Sequence, residues 1–493
     1  VIRNNLIFPL ILSGLFLCSG LLLLLNYYEY PIIRNSLIYA AIIQGISDSN
    51  LWQAADYAQN KPLGFAILSW PLSQALGVNL GLKIASWIGT ALFTMVAILF
   101  LRHLNLSSQH KEIPQGDINL AIILCLFNPL LLYQFISAYP DTLFATLFLA
   151  SLLCFDRALV ERRHFLFVIF AFTLSLIAFW IKHHGYIIPI LFLLMAYMRR
   201  EFLIEQWQNR NRQIKFTIIG FLILLAVIND IYQGDIPLFN SGQNSQNFFS
   251  GENRFLIIVN NLQNFGIFLI VSFGFLTPLL LNPLAYKKQH YLILLLLGVF
   301  VLPILFYKGA QYNIRYFIAL LPIFAWIIAQ QLLVRPKKIR ILALILFVCG
   351  NAYSMLYFNH VGFNQQFREI LPLPKIDNLR LVNEQFQEKQ NLQLIRRLRR
   401  DYNNTLVYLS DYYLEGTFGV WQKAGLLPID LTIYNFSQWD NRYLNQYAVN
   451  KSIIYEYIGV GKSINPMPND PSITPYLSKI NKQLYLFDFN RKL

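Results

Sequence analysis

Residues 30–46 read YPIIRNSLIYAAIIQGI, and residues 58–64 read AQNKPLG. Both lie between a first long apolar run and the next, and the chain goes on as one apolar run after another. Runs near 20 residues cross a hydrocarbon layer about 30 Å thick. A polar, aromatic and charged insert between two such runs is where a membrane protein places chemistry rather than anchorage. Outward from this insert, spans are read near 5–25, 82–101, 118–134, 141–157, 164–181, 185–198, 215–232, 256–281, 290–306, 316–334 and 340–358, about eleven in all. The first run is read as a retained span rather than a cleaved signal peptide. Val1, where a start methionine would stand, is read as an altered or trimmed end.

Composition agrees with a bilayer protein. Of 493 residues, 56% are hydrophobic and 13% charged, against about 25% charged in soluble chains. With the N-terminus in the cytoplasm, about 17 Lys and Arg fall in the inner loops and about six in the outer ones. The net charge of +15 is therefore a topology signal that meets anionic lipid, and no nucleic-acid partner is expected. The expected location is integral to a bacterial inner (plasma) membrane, with the N-terminus cytoplasmic and the C-terminal region extracytoplasmic. Cys18, Cys125, Cys154 and Cys349 lie in apolar runs at no metal-ligand spacing and read as small hydrophobes.

The organisation expected is a transmembrane region over 1–358 with an outer loop at 26–81, then a soluble α/β domain over 359–493. In the loop, NSLIYAAIIQGI and SNLWQAADYAQ are read as two short helices at the outer surface, the second stopped by Lys61-Pro62. In the tail, DNLRLVNEQFQEKQNLQLIRRLRRD reads as an amphipathic helix and YYLEGTFGVWQKAG as a second. TLVYLSD, KSIIYEYIG and KQLYLFDFN read as strands. The fold class is thus a polytopic α-helical membrane protein of about eleven spans with a small extracytoplasmic α/β domain.

Ionisable groups near membrane depth are the candidates for chemistry. The acidic ones facing outward include Glu29, Asp48, Asp56 and Asp141; the basic ones are Arg34, Lys61, Lys182, Lys308 and Arg315, with His183 and His184. A carboxylate accepts a proton from an attacking hydroxyl, and cations hold a phosphate leaving group, Arg bidentately. Asp141 opens a span directly after Pro140. It reads equally as a functional carboxylate or as one that complements the helix dipole. Lys182-His183-His184 sits at a tight turn, where polar residues also serve as interface anchors. Arg315 precedes an apolar run and is read as facing an inner cavity rather than snorkelling. Trp52, Tyr57 and His183 are read as lining a groove at the surface, and Arg34, Lys61, Arg315 and Lys182 as binding the donor phosphate.

These residues carry a resemblance. YPIIRNSLIYAAIIQGI followed by NKPLGFAILSWPL is similar to the first outer loop of integral-membrane glycosyltransferases with the C-type fold. The similar branch is the bacterial one related to protein O-mannosyltransferases and lipid A aminoarabinose transferases. YPDTLFATLFLASL resembles its second acidic element and QYNIRYFIALLP its late "HY" or "RY" segment. The resemblance implies transfer of a hexosyl or pentosyl group, with inversion, from a polyprenyl-phosphate sugar donor. The acceptor would be a lipid, glycan or protein on the extracytoplasmic face. No cofactor is expected, with a divalent metal left open. The family's first acidic residue, its presumed base, falls at Asn35 here, in RNS rather than RDS, and Asn accepts no proton. The alternatives are a base supplied by Asp48, Asp56, Glu29 or Asp141, a slipped register, or a copy with weak or no activity. Two rivals stand beside transfer: a non-catalytic relative that binds glycolipid or a partner, and a transporter of lipid-linked sugars.

Overall fold

Apolar runs bounded by Pro, Gly and Asn become helices, because within lipid a backbone satisfies its own hydrogen bonds only by coiling. The structure is a computed structural model that describes residues 7–30, 32, 35–48, 62–107, 116–160, 164–198, 254–281, 298, 300–301, 314–359 and 393, with five strands in the tail. In chain order the helices are α1 (Ile7–Tyr27), α2 (Asn35–Asp48), α3 (Gly64–Leu76), α4 (Val78–Ser107), α5 (Gly116–Leu126), α6 (Pro129–Gln134), α7 (Asp141–Val160), α8 (His164–Ile181) and α9 (Ile187–Met198). They continue as α10 (Arg254–Phe273), α11 (Leu321–Leu333) and α12 (Lys337–Asn359). Tight 3-10 turns at His183–Tyr186, Gly274–Leu281 and Ile314–Leu320 join or extend them.

Among the described residues, five helical stretches are long and apolar enough to cross a membrane: Ile7–Tyr27, Val78–Leu104, Asp141–Leu159, Phe255–Leu280 and Ile314–Leu333. This corrects the expectation of eleven spans. The run at 118–134 breaks into α5 and α6, because Pro129 lacks the N–H a continuous helix needs. Asn128 makes the break good: its Oδ1 accepts the Leu130 N–H at 2.9 Å, as an N-cap does. The runs at 164–181 and 185–198 are apolar helices of shorter length, Leu166–Ile181 and His184–Met198. The run at 340–358 lies in α12, which is not among the five. The run at 215–232 and most of 290–306 lie outside the described residues.

The loop expected over 26–81 is also corrected in part. It contains the helix α3, and α2 is packed against α3 and α4. Ser36, Ile38, Tyr39, Ala40, Ile42 and Ile43 of α2 are buried, where a surface helix was expected. The second expected surface helix lies outside the described residues.

Burial separates centre from rim. Within an apolar window of 18 residues in each stretch, 83% of residues are buried in Ile314–Leu333 and 72% in Asp141–Leu159, against 28% in Ile7–Tyr27. Thus α7 and α11 form the centre, and α1 shows lipid most of its surface. Its buried stripe Leu12, Phe16, Gly20 and Leu24 repeats every four residues, one ridge of a helix. Gly20 is required there, since a Cβ would enter the Phe135 ring. Around the centre, α7 packs on α4, α8 and α9, and α11 packs on α5.

In the tail the described residues form five short strands: β1 (Val407–Ser410), β2 (Thr432–Asn435), β3 (Ser452–Glu456), β4 (Leu477–Lys479) and β5 (Leu484–Asp488). Their order is β2-β1-β3-β5-β4, with β1 parallel to β2 and β3, and β5 antiparallel to β3 and β4. The expectation of an α/β domain is corrected accordingly: no helix accompanies this sheet among the described residues, and the two stretches read as helices lie almost wholly outside them.

Candidate functional site

The segment from Gln134 to Asp141 is buried throughout, and buried irregular backbone needs partners for its polar groups. Serines supply them. Ser86 Oγ of α4 donates to Gln134 O at 2.6 Å, and Ser36 Oγ of α2 donates to Ser137 O at 3.0 Å. Ala138 takes a left-handed conformation, φ 56°, which costs about 1–2 kcal/mol in an L-residue. That kink precedes Tyr139 and Pro140, and α7 starts at Asp141 with Phe144 N–H bonded to Pro140 O at 2.8 Å. The Asp141 carboxylate, 3% exposed, therefore sits on a helix N-terminus, where negative charge is favoured.

Two cations from distant parts of the chain converge on it. Lys182 lies at the end of α8, where its backbone N–H still bonds Ala178 O at 2.9 Å. Its Nζ donates to Asp141 Oδ1. The turn that aims Lys182 requires Gly185, because a Cβ there would collide with the Phe179 backbone. Arg315, in the 3-10 turn before α11, is 6% exposed. Its Nε stands 3.2 Å from Asp141 Oδ2, paired in charge without hydrogen-bond geometry. Arg315 Nε and Nη1 and Asp141 Oδ2 thus stay buried without a hydrogen bond.

Aromatic rings wall the three charges. The Arg315 guanidinium carbon lies 3.6 Å from the Tyr139 ring centre. Lys182 Nζ lies 3.9 Å from that of Tyr316 and 5.6 Å from that of Phe144. His184 packs on Tyr316 at 4.9 Å between ring centres. Tyr39 of α2 lies within electrostatic reach of both Asp141 and Arg315. A ring face attracts a cation, and more so when water is excluded. The described cluster holds two cations and one carboxylate, so it carries an excess positive charge and unused donors. An anion fits that balance.

Of the residues singled out in the sequence, Asp141, Lys182 and Arg315 are brought together. Asn35 opens α2 and Asp48 ends it, and His183 lies in the turn after Lys182; their side chains lie outside the described ones. Arg34, Trp52, Asp56, Tyr57 and Lys61 also lie outside the described residues. Among the described residues no three His, Cys, Asp or Glu side chains gather as a metal site would require. The reading of the sequence passed over Tyr139, Tyr316 and Tyr39. Their signal was position: Tyr139 precedes Pro140-Asp141, Tyr316 follows Arg315, and Tyr39 stands one helical turn after Asn35.

The helices that converge here share their fold with solved structures, among them two of ArnT from Cupriavidus metallidurans. The one bound to undecaprenyl phosphate has a TM-score of 0.59 at 9% identity, over 98% of this chain and 97% of that one. The apo structure has a TM-score of 0.55 at 9% identity, over 96% and 97%. The likeness is one of fold: no family model matches the chain, and no curated protein matches it in sequence.

Proposed function

We propose that this protein is a membrane glycosyltransferase that moves a sugar from a polyprenyl-phosphate donor to an acceptor on the extracytoplasmic face. The observation that carries the reading is the buried Asp141–Lys182–Arg315 cluster with its unused Arg315 donors, on a fold shared with a protein solved bound to undecaprenyl phosphate. In this reading Lys182 and Arg315 hold the donor phosphate, joined by Arg34 and Lys61 from the loop. Trp52, Tyr57 and His183 line the groove that admits the donor. The acceptor hydroxyl attacks the anomeric carbon from the face opposite the phosphate. The bond from that carbon to the phosphate oxygen breaks as the new glycosidic bond forms. The polyprenyl phosphate leaves with the electron pair of that bond, its added negative charge balanced by Lys182 and Arg315. The hydroxyl proton passes to a carboxylate. Asp141 orients the acceptor or takes that proton through Oδ2; Asp48 and Asp56 are the other carboxylates at hand.

Domain limits at 1–358 and 359–493, and a tail outside the cytoplasm, belong to the same reading. The limits rest on where the apolar runs give way to a polar tail of ordinary domain size, the orientation on the bias of Lys and Arg among the loops. Asn35 favours a second reading, a glycolipid-binding relative without turnover, since an amide cannot serve as base. One assay separates the two: purified protein in lipid, given polyprenyl-phosphate sugars, with free polyprenyl phosphate measured. Release that depends on an acceptor supports transfer. Tight binding of polyprenyl phosphate without release, restored to turnover by Asn35→Asp, supports the binding reading.

A further inference from the structure

The residue that the site leaves unexplained is Lys83, an ammonium wholly buried in the second turn of α4. Its Nζ donates to Tyr27 O at 2.7 Å, to Tyr28 O at 3.4 Å and to Tyr30 O. One turn earlier on α4, Asn79 grips the same stretch. Its Nδ2 donates to Tyr28 O at 3.0 Å and Tyr30 O at 3.1 Å, and its Oδ1 accepts the Ile32 N–H at 2.8 Å. A cation at the end of α1 complements the helix dipole and fills orphan carbonyls. A cap needs no more than Tyr27 and Tyr28, however. The grip runs past the helix end to Tyr30 and Ile32, three residues short of Asn35.

The same face of α4 continues this work. Ser86 holds Gln134 O at 2.6 Å and Tyr139 O at 3.2 Å, and Thr90 meets Thr142 at 3.1 Å between hydroxyl oxygens. Positions 79, 83, 86 and 90 follow helical spacing. A single stripe therefore ties down both the approach to α2 and the approach to α7. Ser36 bonded to Ser137 closes the arrangement from the other side. One helix, α4, thus bonds Tyr27, Tyr28, Tyr30 and Ile32 on one side and Gln134, Tyr139 and Thr142 on the other.

We propose that Lys83 and Asn79 are positioning residues: they hold 27–32 so that the Asn35 end of α2 stands at a set place beside Asp141, Lys182 and Arg315. This rests on the transfer reading above. The test uses the full chain in lipid with Lys83→Met, Lys83→Arg and Asn79→Ala. It measures kcat and KM with a polyprenyl-phosphate sugar, affinity for polyprenyl phosphate, thermal unfolding, and backbone hydrogen exchange across 27–38. Lys83→Met and Asn79→Ala are expected to lower kcat about tenfold or more. Exchange across 27–38 rises while polyprenyl-phosphate affinity is kept, and Lys83→Arg recovers much of kcat. Asn79→Ala carries the test if Lys83→Met fails to fold. Unchanged exchange across 27–38 overturns the proposal. So does a fall in kcat matched by equal losses of affinity and melting temperature, which is what a merely structural cap would show. Should the wild type turn over no donor, the transfer reading fails by itself. The positioning proposal is then decided by exchange: faster exchange confined to 27–38 supports it, and exchange unchanged or raised throughout the membrane region overturns it.

Discussion

The two ends of the α4–α7 pair each bury a carboxylate, and they handle it differently. At one end, wholly buried Asp156 meets His103 Nε2 at 2.6 Å, and no atom of that pair is left buried without a hydrogen bond. At the other, Asp141 meets Lys182 and Arg315, yet Asp141 Oδ2 and Arg315 Nε and Nη1 lack hydrogen bonds. Burying polar atoms unsatisfied costs about 1–3 kcal/mol each. On the transfer reading proposed above, the open end is the one that takes a bound anion. The satisfied pair reads as a lock between helices, the open cluster as a site.

Asp141→Asn strikes the open end hardest. Turnover of a polyprenyl-phosphate sugar is expected to fall at least about a hundredfold, the lower range for loss of an acid–base group, with the helical circular dichroism kept. Full activity would remove Asp141 from the mechanism. Next comes Arg315→Ala. Lys182 still pairs with Asp141, so the fold survives, while the affinity for polyprenyl phosphate measured by titration drops about tenfold or more, at least about 1.4 kcal/mol. Unchanged affinity would mean that the unused donors serve no anion.

At the satisfied end the expectation reverses. His103→Leu leaves Asp156 short of a hydrogen bond and lowers stability by about 1–3 kcal/mol, read as a lower melting temperature. Polyprenyl-phosphate affinity should stay as it was. A loss of affinity without a loss of stability would erase the contrast between the two ends. The smallest effect is expected from Ala138→Gly. It relieves a left-handed backbone but adds freedom to the unfolded chain, so stability should move by less than about 1 kcal/mol. A large loss would show that the Ala138 methyl, buried as it is, packs rather than merely tolerates the kink.

How much of this was legible beforehand differs from residue to residue. Asp141 announced itself through Pro140, a local signal for a helix start. Lys83 carries a signal of its own in the sequence: an ammonium at the edge of the run 82–101 is costly in lipid and marks a partner elsewhere in the chain. The span count failed where a local average of hydropathy hides a break, as at Asn128-Pro129, and where apolar runs serve as helices too short to cross alone. In α2, apolar spacing was legible, but its burial against α3 and α4 was not.

The amino-acid sequence by itself determined that this chain lives in a bilayer, that its charges gather at span ends, and which carboxylate and cations deserved notice. Those facts follow from hydropathy and from the cost of charge in lipid, both local along the chain. Only the tertiary structure decided that Lys182 and Arg315 meet on Asp141, that Tyr139 and Tyr316 wall them, and that Lys83 reaches back to the end of α1. Each of these depends on how deep one helix sits against another and on which face it turns. Crossing and depth arise from packing between segments far apart in the chain, such as Gly64 against the Trp180 backbone, and no local pattern encodes them.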